Sequence, residues 1–290
     1  MKSNKRAVIL ALLAATLYAL SSPVSKLLLE KISATMLAAL LYIGAGIGLT
    51  ILEIIQRKTK KVQKEEALSK KDLPYILGMV ILDIAAPILL MLSLTMTTAA
   101  NVSLLNNFEI VATSMIALVI FKEKVSKKLW IAIGLVTLSS IMLSIEDMSS
   151  FSFSFGSVLV LLACICWGFE NNCTRMLSPK NPIHIVIIKG FGSGFGSLLI
   201  AWMLGEVTFH LVYILIAFLL GFVAYGLSIL LYIYAQRELG AAKTSTYYAV
   251  APFIGVALSL IIFREMPTLS FLIAFIIMIV GTYLAVTDKK

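Results

Sequence analysis

Two stretches of sequence decide the fold: AANVSLLNNFEIVATSMIALVIFKE, from Ala99 to Glu123, and AAKTSTYYAVAPFIGVALSLIIFRE, from Ala241 to Glu265. Each opens on Ala-Ala and closes on Phe, a base and Glu. Each is a largely apolar run of the length that crosses a bilayer, which takes about 20 helical residues. The sequence therefore predicts two copies of one membrane unit, residues 1–147 and residues 148–290.

The composition places most of the chain in lipid. Its 290 residues are 60% hydrophobic and 13% charged, with a mean hydropathy of +1.00, whereas about 25% of a soluble domain is charged. The apolar runs are continuous rather than alternating, which favours helices over a β-barrel. We predict an all-α integral membrane protein with ten transmembrane helices, near residues 7–29, 33–55, 73–95, 98–121, 128–146, 156–176, 182–204, 211–235, 240–263 and 268–287.

The basic residues predict the orientation, because Lys and Arg accumulate in cytoplasmic loops. With both termini in the cytoplasm, the inside segments hold 20 of the 24 Lys and Arg residues. The outside segments hold only Lys26, Lys31 and Arg264, and Lys189 lies within a span. Five helices per unit would then make the second unit cross the membrane upside down, as inverted repeats do. This topology accounts for the net charge of +9, so we expect no nucleic-acid partner.

Other motifs exclude several classes of function. The cysteines, Cys164, Cys166 and Cys173, lie in one predicted helix, which fits neither a disulfide framework nor a zinc site of the usual spacing. The first apolar run exceeds a signal-peptide core, so we expect it to remain as a span. Neither an HExxH, a nucleophile elbow nor a P-loop is present, so we expect no enzyme, metal or cofactor. A membrane-embedded enzyme and a non-transporting, flippase-like subunit remain alternatives.

The duplicated motifs resemble the EamA type of the drug/metabolite transporter superfamily. The resemblance covers nearly the whole chain and is clearest in RELGAAKTSTYYAVAPFIGVALSLIIFRE, from Arg237 to Glu265. The first half departs from the family pattern, because Ile110 stands where the family has the proline matched here by Pro252. The resemblance implies a ten-helix carrier of small metabolites, often outward and often proton-driven, with its site between the halves. It does not specify the solute.

Polar residues inside the spans predict the site, because an ionisable group in hydrocarbon costs at least about 2.5 kcal/mol. Asn106, Glu109 and Thr113 form one polar stripe on the fourth predicted helix, which should face a cavity. Tyr247 and Tyr248 occupy equivalent places in the ninth. A buried hydrogen-bonded strut remains the alternative for Glu109, as does simple packing for the tyrosines.

Further candidates lie in the first, third and sixth helices. Asp83 is deep in the third, one turn before Pro87, where a kink could open a cavity. Tyr18 precedes a polar cluster in the first helix. Trp167, Glu170 and Asn171 lie together in the sixth, and Lys189 in the seventh is at the right depth for an ion pair with Glu170. The alternative to a functional role for Glu170 and Lys189 is an ion pair that only stabilises the structure.

The candidates together predict a secondary transporter of a small polar or amphipathic solute, working by alternating access as an exporter or exchanger. Glu109, with Asp83, would take up and release a proton as access alternates. The short, Lys-rich inside loops are typical of a multi-pass protein of the bacterial cytoplasmic membrane. The expected partners are the solute and the lipid bilayer, and the oligomeric state stays open.

Overall fold

The structure, a computed structural model, describes residues 2–59, 68–120, 122, 126–147, 152–177, 180–239, 244 and 247–287. These residues are almost entirely helical. The first half forms α1 (Lys2–Ala19), α2 (Ser21–Leu28), α3 (Ala34–Thr59), α4 (Leu73–Met96), α5 (Ala99–Leu105), α6 (Phe108–Val119) and α7 (Lys127–Ser144). A short antiparallel hairpin of β1 (Ile145–Asp147) and β2 (Ser152–Phe153) follows.

The second half is also helical. It forms α8 (Phe155–Leu177), α9 (Pro182–Met203), α10 (Leu211–Leu220), a π-helical segment (Gly221–Leu227), α11 (Ser228–Leu239), α12 (Ala251–Phe263) and α13 (Leu269–Val286). The predicted boundary after residue 147 adjoins residues outside the described ranges, so its position stays a prediction. Residues 240–243 and 245–246 of the ninth predicted span also lie outside them.

The described residues contain eight helical segments long and apolar enough to cross a membrane. They are Lys5–Leu28, Ala34–Arg57, Lys70–Met96, Lys127–Ser144, Phe155–Thr174, Pro182–Met203, Leu211–Ala235 and Leu269–Val286. Each overlaps one predicted span. The fourth predicted span is instead broken at Asn106 between α5 and α6, and the ninth is represented by the 13-residue α12. The chain is thus a multi-pass membrane protein, and a count of ten remains a prediction.

Side-chain caps set several of the helix starts. A hydroxyl or amide oxygen before the helix accepts a hydrogen bond from a backbone amide of the first turn, which satisfies a donor that the helix leaves unpaired. The capping residues are Thr98 for α5, Ser126 for α7, Asn181 for α9 and Thr268 for α13. Pro182 follows the Asn181 cap, where a missing amide hydrogen costs nothing.

The long packing contacts join the two halves of the chain. α3 packs along α9, α7 along α13, α4 along α8, and α1 along α11, while α5 packs against α12. α3 is central to this arrangement. A Cβ on Gly190 of α9 would lie 2.6 Å from the backbone nitrogen of Gly46, and one on Gly221 would lie 1.9 Å from the carbonyl oxygen of Leu41. Only glycine permits these backbone contacts.

Candidate functional site

An ammonium group between two carboxylates forms the centre of the molecule. Lys189 Nζ on α9 lies 3.0 Å from Asp83 Oδ2 on α4 and 3.1 Å from Glu170 Oε1 on α8. Asp83 and Glu170 are buried, and Thr174 donates a hydrogen bond to the same oxygen of Glu170. The expected pair of Glu170 with Lys189 is present, and Asp83 shares the same amine. Three helices from both halves thus meet at one charge cluster.

Tyr42 links this cluster to the aromatic side of the core. Its hydroxyl donates a hydrogen bond of 3.1 Å to Asp83 Oδ1. Its ring centroid lies 5.3 Å from that of Tyr225, whose hydroxyl is hydrogen-bonded to the Ser21 hydroxyl at 2.7 Å. Tyr225 lies in the π-helical segment, a distortion often found at functional sites. The π-helical segment thus places Tyr225, from the second half, beside Tyr42, from the first half, whose hydroxyl is bonded to Asp83.

Two further tyrosines extend the aromatic side. The Tyr18 ring lies 6.0 Å from the Tyr225 ring and 5.9 Å from the Tyr248 ring. Tyr248 also meets the Tyr232 ring edge-on at 4.9 Å and lies 3.4 Å from the Ser228 hydroxyl. We call Tyr18, Tyr42, Tyr225, Tyr232 and Tyr248 the tyrosine cluster. Its rings come from the first, second, eighth and ninth predicted spans and form one continuous surface.

Glu109 contacts α8. Asn171 Nδ2 donates to Glu109 Oε1 at 2.6 Å and lies 3.4 Å from the Thr113 hydroxyl. Glu109 is also within electrostatic range of Glu170 and Lys189, and of Tyr18 and Tyr248. We call Asp83, Glu109, Glu170 and Lys189 the charge cluster.

The polar stripe of Asn106, Glu109 and Thr113 and the two tyrosines of the ninth span do not all come together in one site. Asn106 lies in the break between α5 and α6, and its buried Oδ1 has no hydrogen-bond partner among the described residues. Tyr248 joins the tyrosine cluster. Tyr247 is half-buried, and no hydrogen bond or ring contact links it to another described residue. The described contacts therefore bring eight of the ten predicted residues to the two clusters or their direct neighbours, and they place neither Asn106 nor Tyr247 against them.

Several residues of this site escape sequence reasoning. Tyr42 and Tyr225 lie in apolar runs, where a hydroxyl gives a weaker signal than a charge, whereas Ser21 belongs to the polar cluster that follows Tyr18. One signal for Tyr225 is its position, because its separation from Asp83 along the chain equals that of Ala241 from Ala99 in the duplicated motifs. The predicted Trp167 is buried in the same apolar cluster as Tyr42 and Tyr225.

The open space in this region is small. A recess at the junction of the two clusters is lined by Tyr42, Ala45, Val186, Lys189, Gly190, Tyr225 and Ile229. Within the described part of the chain, no group of three or more His, Cys, Asp or Glu side chains is placed to hold a metal ion. The chemistry available is thus that of buried carboxylates, one amine and aromatic hydroxyls.

Comparisons with known proteins place this chain in a family. The EamA-like transporter family model matches residues 5–145 and again residues 154–287. An "uncharacterized transporter" of Methanothermobacter thermautotrophicus is 27% identical over 297 residues, which covers 97% of this chain and 86% of the relative. One solved crystal structure superposes with a TM-score of 0.67 at 14% identity, covering 98% of this chain and 96% of that one. Because the family model matches both halves of the sequence, the chain belongs to the EamA-like transporter family.

Proposed function

We propose that this protein is a secondary transporter that moves a small polar or amphipathic solute by alternating access, as an exporter or exchanger. The observation that carries this proposal is the buried contact of Tyr42 with both Asp83 and Tyr225. It joins charged and aromatic groups from both halves in the interior of a membrane bundle. Ionisable groups in that position typically mark a solute or ion pathway.

The arrangement of helices supports ten spans in two inverted repeats, residues 1–147 and 148–290. If the second repeat is an upside-down copy, equivalent helices should meet near the axis that relates them. α3 packs on α9, α7 on α13 and α5 on α12, which are the second and seventh, fifth and tenth, and fourth and ninth predicted spans. The separate family matches to the two halves support the same division. With this division, the positive-inside pattern supports our proposal that both termini are cytoplasmic.

Glu109 is the group that we propose for proton coupling. Its carboxylate forms no ion pair with another described residue and is held by the Asn171 amide, beside the Thr113 hydroxyl. Asp83, by contrast, is fixed by Lys189 and Tyr42. A carboxyl group without a fixed cation can exchange a proton when the site opens to either side. Asp83 would contribute through the shared electrostatics of the charge cluster.

A transport assay tests this role. Purified protein in liposomes should show solute counterflow, and an imposed pH gradient should drive solute accumulation in the wild type. Glu109→Gln should retain counterflow at saturating solute concentration but lose accumulation driven by the gradient, because a glutamine cannot exchange the proton. Glu53→Gln is the matched control, since Glu53 lies near the end of α3 and pairs with His184 and Arg57 away from the site. Full gradient coupling in Glu109→Gln would remove Glu109 from this role.

A further inference from the structure

We infer that the solute is an amphipathic organic cation, an amine or ammonium carrying one apolar or aromatic group; this rests on the proposed transport function. The first step is the charge count. The charge cluster holds three acids, Asp83, Glu109 and Glu170, and one base. Among the side chains that the structure describes, no base other than Lys189 forms an ion pair with these acids. The ionised cluster thus carries an excess of negative charge.

The position of Lys189 decides where that excess lies. Its amine is within 3.1 Å of carboxylate oxygens of both Asp83 and Glu170, so these two acids share its charge. Glu109 accepts a side-chain amide hydrogen bond from Asn171 and forms no ion pair with a described base, so its charge is the least compensated of the three acids. A buried charge needs an opposite charge as well as hydrogen bonds. Glu109 is therefore the acid that a cationic ligand would neutralise.

The tyrosine cluster supplies the second half of the recognition. Tyr18 and Tyr248, whose rings lie 5.9 Å apart, are both within electrostatic range of Glu109. Aromatic faces attract cations and bind apolar groups, and they do so more strongly when water is excluded. Ser228 lies beside the Tyr248 hydroxyl, which helps hold that side chain in place. A ligand between Glu109 and these rings would meet a carboxylate at one end and aromatic surface at the other.

The same geometry argues against anions and zwitterions. A solute carboxylate needs an available base, but Lys189 already contacts two protein carboxylates. Binding a carboxylate at Lys189 would break one of these buried pairs and leave an acid without its partner. A neutral solute would leave Glu109 uncompensated unless a proton is bound. The charge cluster thus separates molecules of equal size by their charge.

A matched series of phenyl compounds tests this inference on the full chain in liposomes. The probes are phenethylammonium (cation), 2-phenylethanol (neutral), hydrocinnamate (anion) and phenylalanine (zwitterion), each as a competitor of labelled phenethylammonium binding and counterflow. We expect saturable binding of the cation, with each other compound at least about tenfold weaker, the effect of losing one charge-assisted contact.

Variants assign the preference to its residues. Glu109→Gln should weaken phenethylammonium binding by about tenfold or more and bring it close to that of the alcohol. Glu109→Asp, which keeps the charge, should retain the preference for the cation and shows whether a loss comes from misfolding. Glu53→Gln should behave as the wild type. An unchanged cation preference in folded Glu109→Gln would overturn the inference.

The outcomes also separate this inference from the transport function. Counterflow of the alcohol, the anion or the zwitterion with no response to the cation would refute the cation class while leaving the carrier intact. Binding of none of the four, by protein that exchanges solutes from a mixture of metabolites, would do the same. Failure to exchange any solute from that mixture would contradict the transport function itself.

Discussion

The two halves of the molecule bring different chemistry to equivalent positions. In the register that aligns Ala99 with Ala241, Asp83 aligns with Tyr225 and Asn106 aligns with Tyr248. The first half thus presents an acid and an amide where the second presents two phenols. Tyr42 contacts both Asp83 and Tyr225, so the two unlike partners meet at one side chain. The candidate site therefore has a charged side and an aromatic side, to which the two halves contribute unlike residues.

The largest expected effect comes from breaking the charged side. Lys189→Met should lower the free energy of unfolding by about 3–5 kcal/mol, because it leaves two buried carboxylates without their cation. Thermal unfolding of the purified protein in detergent measures this loss. Adding Asp83→Asn to Lys189→Met should recover part of the stability, since it removes one of the unpaired acids.

Lys180 provides a matched lysine for this comparison. Its ammonium lies 3.6 Å from Asp72 Oδ2, at the start of α4 rather than in the core. Lys180→Met should cost less than Lys189→Met, because it leaves one carboxylate without its cation instead of two and Asp72 keeps its hydrogen bonds from Ser69. Equal losses at Lys180 and Lys189 would show that the core cluster adds no special stability.

A loss of stability of intermediate size should show how much Tyr42 depends on each of its two partners, Asp83 and Tyr225. Tyr42→Phe keeps the ring contact with Tyr225 but removes the hydrogen bond to the Asp83 carboxylate, at a cost of about 1.5–3 kcal/mol. Tyr225→Phe removes only the neutral bond to Ser21, at about 1 kcal/mol. Thermal unfolding and counterflow rates of the two variants test this order. A larger loss of stability or counterflow in Tyr225→Phe than in Tyr42→Phe would show that the hydrogen bond to Ser21 matters more than the one to Asp83.

The smallest effect on stability should come from the contact between Glu53 on α3 and His184 on α9, away from the charge cluster. His184 Nε2 on α9 lies 2.7 Å from Glu53 Oε1 on α3, with 42% of the histidine side chain exposed. Exposed pairs of this kind contribute about 0–1 kcal/mol, and salt screens them. A double-mutant cycle with His184→Gln and Glu53→Gln should give a coupling energy below about 1 kcal/mol. A larger coupling would make this contact a strong link between α3 and α9.

The sequence predicts the membrane class and the span positions because they follow from apolar length alone. Eight of the predicted spans overlap long apolar helices, whereas the break at Asn106 could not be placed. Local composition there is apolar with two amides, which a continuous helix would also tolerate. Some span ends agree closely with the helices: the seventh predicted span, residues 182–204, corresponds to α9 (Pro182–Met203), whose start is capped by the Asn181 side chain.

The site was predictable where it depends on charge. Asp83, Glu109 and Glu170 are conspicuous in hydrocarbon, because each needs a compensating partner. Which acid shares Lys189 is a tertiary fact, set by how α4, α8 and α9 pack. The tyrosines carry no such signal, since a phenol in a membrane helix is also an ordinary packing residue. The role of Tyr42 thus depends on neighbours far along the chain.

The bare backbone contacts of α3 have a mechanical consequence. Gly190 and Gly221 bring α9 and the π-helical segment directly onto the main chain of α3, with no side chain between them. Side chains can change rotamer and absorb a small displacement, but peptide groups in direct contact cannot. Rotation of α3 would therefore displace α9 and the π-helical segment together, and so couple motion of the first half of the protein to the second.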